Sequence, residues 1–185
     1  MMQGIDDSFA AVVFVGYHAS EGQANAILAH TDSSVRFFDV KLNGVSVPEA
    51  GMSAAIAGEF GVPVVFLSGD QTIGQEATRL LGAIETATVK VAGGFYSATM
   101  LHPEECRRLI REGVKRGVEK RRQLKPYKLA RPVKLEVTFK RTVDAEVASY
   151  FQGVERPRGN VIVYTAGDML EASRFFQAIG FLSVE

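Results

Sequence analysis

The sequence predicts an α/β fold, a layered sheet with flanking helices followed by a small α+β lobe. Three observations predict it. A continuous apolar run, FAAVVFVGY (Phe9 to Tyr17), has the composition of a buried strand. Extended runs then alternate with stretches of helical periodicity as far as Arg122, and two further strand–helix pairs follow Lys125-Pro126. The chain therefore divides into an α/β lobe over 1–124 and an α+β lobe over 125–185, packed together as one unit.

The first run reads as a strand covered on both faces and ending at His18. Ser34 to Val47 is extended, with Asn43-Gly44 set as a tight hairpin turn. Pro48 opens a helix that runs to Phe60, with Met52, Ala55, Ile56 and Phe60 along one side and Gly61 as its stop. Pro63 to Leu67 is the next buried strand, and Asp70 caps a helix over Gln71 to Leu81. Glu85 to Val91 is again extended. Pro103 starts the longest helix, whose apolar positions Cys106, Leu109, Ile110, Val114 and Val118 recur at amphipathic spacing. Beyond it come strand Val133 to Phe139, helix Val143 to Phe151, strand Asn160 to Tyr164 and a last helix from Asp168 to Ile179.

Composition removes several classes of function. The 185 residues carry 21 basic and 21 acidic side chains, 46% apolar residues and one cysteine, so disorder, a disulfide framework and a cysteine zinc cluster are excluded. A lone Cys106 fits a reducing compartment, and the expectation is a cytoplasmic protein. The first ten residues carry Asp6 and Asp7 but none of the basic residues of a secretory signal, and no apolar run is long enough to span a bilayer. Pro103 to Arg131 is strongly basic, but no aromatic platform is interleaved with it, so it reads as a solvated face and nucleic acid is not expected as a partner. Walker, GxGxxG, GxSxG and HExxH patterns are all missing.

The residues able to do chemistry are few. His18 follows directly on a strand, and ligands collect at the carboxyl ends of strands in open α/β sheets. It is either a hydrogen-bonded strand-end histidine or a ligand. Glu49, at a helix start, is favoured there by the dipole whether or not it binds anything, and with His18 it would form a mixed nitrogen and oxygen set suited to zinc. Asp70 is open to capping or ligation, with capping the stronger reading. His102 is most simply a helix-entry residue, and Asp32, Asp70 and His102 are the spare groups for a metal.

FVGYHA (Phe14 to Ala19), ILAHT (Ile27 to Thr31), the hairpin with PEAGMSAAIAGEFGVPVVFLSGD (Pro48 to Asp70) and AGDMLEA (Ala166 to Ala172) together resemble the D-aminopeptidase (DppA-like) family of zinc metallopeptidases. The resemblance runs in order from Gly4 to the C-terminal helix. It implies an enzyme that binds two zinc ions and releases N-terminal D-amino acids from short peptides, in a homodecameric ring. It also implies that His18 and Glu49 are metal ligands and that His30 is catalytic, although Pro48 stands where the family usually has glycine. The family's SxDxEG motif and a further ligating histidine are not found in these 185 residues. The expectation is therefore the C-terminal portion of such an enzyme, its first lobe incomplete and inactive alone. A non-catalytic assembly module or a small-ligand-binding α/β module are the rival readings.

Overall fold

The computed structural model describes residues 2–182. Its first sheet has the order β1-β4-β5-β6, from β1 (Val12–Tyr17), β4 (Val64–Asp70), β5 (Glu85–Gly94) and β6 (Ser97–Met100). The first three are parallel and β6 returns antiparallel on β5. A second, antiparallel sheet has the order β3-β2-β7-β9-β8. It is built from β2 (Phe37–Leu42), β3 (Val45–Ser46), β7 (Val133–Phe139), β8 (Val154–Arg158) and β9 (Val161–Ala166). The helices are α1 (Glu49–Glu59), α2 (Gln71–Leu81), α3 (Pro103–Glu119), α4 (Thr142–Ala148) and α5 (Met169–Gly180). The expected α/β class is the one observed.

Strand β4 is the centre of the first sheet, and every one of its residues is buried. Here the structure corrects one expectation. The apolar run at Phe9 to Tyr17 is not covered on both faces: among the described residues β1 lies at the sheet edge beside β4, and Val13 and Val15 are exposed while Phe14 is buried. An apolar run records the residues of a strand but not whether a neighbour covers its edge.

The expected Asn43-Gly44 hairpin forms, with Asn43 (φ 49°) and Gly44 (φ 84°) in the left-handed region that a two-residue turn requires, but its first strand starts at Phe37, residues 34–36 being a turn rather than extended. Its strand β2 pairs with β7, so it belongs to the second sheet. The boundary at 124/125 therefore divides chain order and not the two sheets. In β7, Val133, Leu135, Val137 and Phe139 point into the core and alternate with more exposed residues, the period-2 pattern of a half-covered antiparallel sheet. The helix expected over Val143 to Phe151 is shorter, α4 ending at Ala148. Strands β6 and β8 were not predicted; Pro157 argues against a strand except at an edge, which is where β8 lies.

Helix α3 lies on the outer face of the first sheet against Val65, Phe66 and Ala87. Its approach depends on glycine: a Cβ at Gly117 would lie 2.4 Å from the Val65 carbonyl oxygen. The most buried residues of α3 are Gly113 and Gly117, while the expected core residue Val118 is 38% exposed. Gly117→Ala should therefore push the helix off the sheet and cost about 1–3 kcal/mol, read as a lower urea midpoint at unchanged slope.

Candidate functional site

The carboxyl ends of β1, β4 and β5 lie together, because Tyr17 is level with Gly69, Gly69 with Thr88, and Asp70 with Lys90. From this end the chain leaves β1 into an irregular loop, residues 18–36, that carries both His18 and His30. Loops this long inside compact domains are usually functional. Polar side chains at and after the end of β4 hold it in place. Asp70 is 1% exposed and uses both oxygens: Oδ1 accepts from the Thr72 and Ile73 amides, capping α2, and Oδ2 accepts from the Ile27 amide at 2.9 Å. Buried Glu76 accepts from the Ser20 amide at 2.9 Å, and Gln71 donates to the Asn25 carbonyl at 2.8 Å.

Within this frame the His18 and His30 rings stand 4.9 Å apart, centroid to centroid. The His30 amide donates to the Ala19 carbonyl at 3.0 Å, which ties the second histidine to the residue after the first. Glu49 is the first residue of α1, half-buried. Burial pushes its carboxyl above the ordinary value and the negative charge of Asp32 adds to this, while His30 opposes it. Partial burial likewise raises Asp32, again opposed by His30. His18 is displaced the other way, chiefly by burial and then by the positive charges of Lys90 and His30, with Asp70 opposing. Tyr17 is pushed up by burial, against a hydrogen bond with Ser53, and Glu49 contributes to the rise. These mutual effects mark one electrostatic cluster at the strand ends: His18, His30, Glu49, Asp32 and Tyr17.

A cavity of about 550 Å³ adjoins it, lined among others by Asp32, Glu49, Ser53, Met52, Phe60 and Arg174. Glu49 and Asp32 face this cavity, whereas neither histidine lines it. Of the spare groups, Asp70 is committed to backbone amides, and His102 caps α3 far along the chain, its Nδ1 accepting from the Glu104 amide at 3.4 Å. The sequence reading named Asp32 only as a spare ligand and assigned nothing to Glu76. Asp32 has a left-handed backbone (φ 63°), a conformation in which aspartate is enriched, but no periodicity announces it.

As a metal site the described residues are incomplete. Among them no group of three or more histidine, cysteine, aspartate or glutamate side chains is placed to hold an ion. His18 and Glu49 make two donors, and a catalytic zinc site usually takes three from protein. The donors present are nitrogen and oxygen groups suited to zinc, but too few to fit it alone.

Fold and cluster define an α/β protein with a partial imidazole–carboxylate site at the carboxyl ends of a parallel sheet. The chain belongs to the D-aminopeptidase family, whose family model matches residues 1–178. It is 33% identical over 174 residues to a D-aminopeptidase of Bacillus subtilis (strain 168), a match covering 93% of this chain and 62% of that protein. It is also similar to the solved structure of the Zn-dependent D-aminopeptidase DppA from Bacillus subtilis, described as a self-compartmentalizing protease. There the TM-score is 0.92 at 28% identity, over 97% of this chain and 65% of that one. The chain thus spans less than two thirds of the length of these relatives.

Two outcomes test the site. Asp70→Ala removes a cap and the acceptor of the Ile27 amide, and should cost about 2–4 kcal/mol with loss of hydrogen-exchange protection at Ile27. Glu49→Gln should raise stability at neutral pH. The raised carboxyl means that the fold penalises the ionised form, a penalty that sets in as pH rises through the ordinary carboxylate range and is absent below about pH 4, where the carboxyl is protonated in folded and unfolded chains alike. Urea melts at the two pH values should show the gain at the higher one only.

Proposed function

We propose that this chain serves as a zinc-dependent aminopeptidase that releases N-terminal D-amino acids from short peptides. The observation that carries the reading is the contact of the His18 and His30 rings at the strand ends, with Glu49 within electrostatic reach of His30, in a member of the D-aminopeptidase family. His18 and Glu49 are assigned as zinc ligands, and the remaining ligands of a two-ion site come from polypeptide outside these 185 residues. His30 is assigned as the catalytic residue, exchanging a proton with the reacting peptide or donating to the developing oxyanion.

Assembly belongs to the same reading. The solved relative is described as self-compartmentalizing, and we extend that to this protein as a homo-oligomer, with the decameric ring as its form. Edge strand β1, with Val13 and Val15 exposed, is the kind of surface that folded proteins cover. Among the described residues no helix is long and apolar enough to cross a membrane. The cytoplasm is the proposed compartment.

The purified 185-residue chain should take up zinc weakly and leave a D-Ala peptide intact. Joined to the additional segment of a full-length relative, it should hydrolyse that peptide. In the joined protein His30→Ala should reduce the rate at least about 100-fold with zinc content unchanged, whereas His18→Ala should lower zinc content as well. Peptidase activity of the chain alone that survives a chelator would overturn the reading. Light scattering should give a mass several times 20.1 kDa; a monomer at all concentrations would count against the assembly.

A further inference from the structure

Leu28 is out of place in its backbone conformation. Its φ is 51°, in the left-handed region that branched apolar residues rarely enter, and the residue is 39% exposed. Two backbone contacts hold it there. The Leu28 amide donates to the Phe95 carbonyl at 2.9 Å, and the Leu28 carbonyl faces the His30 ring, with Nδ1 at 2.6 Å. Phe95 and Tyr96 form the tip of the β5–β6 hairpin between paired Gly94 and Ser97. That tip is anchored nearby, because the Ala92 amide donates to Gln71 Oε1 at 3.2 Å.

A carbonyl oxygen can only accept, so Nδ1 of a neutral His30 must carry the proton, and the bare nitrogen is then Nε2. The main-chain bond from His30 to Ala19 fixes the other end of the residue. We propose that Leu28 is a positioning residue: its left-handed backbone, pinned by the Phe95 carbonyl, holds the His30 ring in the Nδ1–H form and presents Nε2 as the nitrogen that exchanges protons with substrate. The assignment of His30 as catalytic rests on the function proposed above. The tether itself is a property of this chain and is tested without activity.

The test is a long-range ¹H–¹⁵N correlation spectrum of the three histidine rings in the labelled 185-residue chain, at a pH where the rings are neutral, with His30 assigned by its loss in His30→Gln. In the wild-type chain, His30 Nδ1 should resonate in the protonated range and Nε2 in the bare range. Leu28→Gly keeps both backbone groups and accepts a positive φ, so it should preserve that pattern. Leu28→Val, whose β-branch resists the left-handed region, should lose it, giving a mixture of the two forms and loss of amide protection at position 28. An Nε2–H form or an even mixture in the wild-type chain overturns the proposal, even if the valine variant fails to fold. So does an unchanged ring pattern in a folded valine variant whose position-28 amide has lost protection. Failure of the peptidase reading is a separate result: a fully active joined protein carrying His30→Ala removes the catalytic role and leaves the ring pattern as found.

Discussion

The burial of α1 between the two sheets is the constraint on which the rest of the structure depends. Eight of its eleven residues are buried, and most of these are alanine, glycine or serine. Ala50 and Ala54 pack into the core of the first sheet, and Met52 and Ala55 into that of the second. A helix apolar on all sides is stable only when covered on all sides, so α1 needs both sheets. Its far end is tied to α5 as well, since Glu59 accepts from the Met169 amide at 3.1 Å. The position of Glu49 is thereby set by packing many residues away from any chemistry. The second sheet serves the site without contributing one of its proposed ligands or its proposed catalytic residue.

The histidines are placed by a different means. The loop that carries them has no ladder of its own, and two of its backbone amides, Ser20 and Ile27, are satisfied by side chains of α2 and of the β4–α2 junction. Asp70 does most, because one carboxylate both caps α2 and holds Ile27, so the helix start and the loop cannot move independently. Such buried, fully bonded carboxylates are rigid supports. The helix that receives the support is also the one whose first turn fixes the hairpin tip beneath Leu28. The 4.9 Å contact between two imidazoles therefore rests on a polar scaffold, whereas the carboxylate beside them rests on an apolar one.

Legibility followed from what each residue must satisfy locally. The alternation in β7 and the Asn43-Gly44 turn were readable because period and turn chemistry are properties of neighbouring residues. Helix α1 was readable from its start and stop, but not its burial on both sides. The exposure of Val13 and Val15 was not, since strand order is decided by the whole chain. Asp70 shows the division within one residue: capping through Oδ1 follows from its place before a helix, while the bond from Oδ2 to Ile27 depends on a loop that returns from 43 positions away. His18 and Glu49 were singled out by residue type at a strand end and a helix start, and His30 through family resemblance. That the His30 ring lies against His18 needed coordinates.

The charges of the cluster carry a cost to folding. Glu49 and Asp32 are both displaced toward their neutral acids, chiefly by burial, and Asp32 adds to the cost of ionising Glu49, while His18 is displaced toward its neutral base. For the carboxyls the cost to folding appears as pH rises through their ordinary range. For His18 it appears as pH falls below its ordinary value, because the unfolded ring then binds a proton that the folded one resists. A site shaped only for stability would pair these groups. Here they are held close and partly desolvated, with His30 opposing but not cancelling the rise of the two carboxyls, the arrangement expected where structure gives up stability to function. Positive charge brought to Glu49 and Asp32 from outside the chain would offset the repulsion between them, and the neutral imidazole of His18 is already in the form that donates a lone pair.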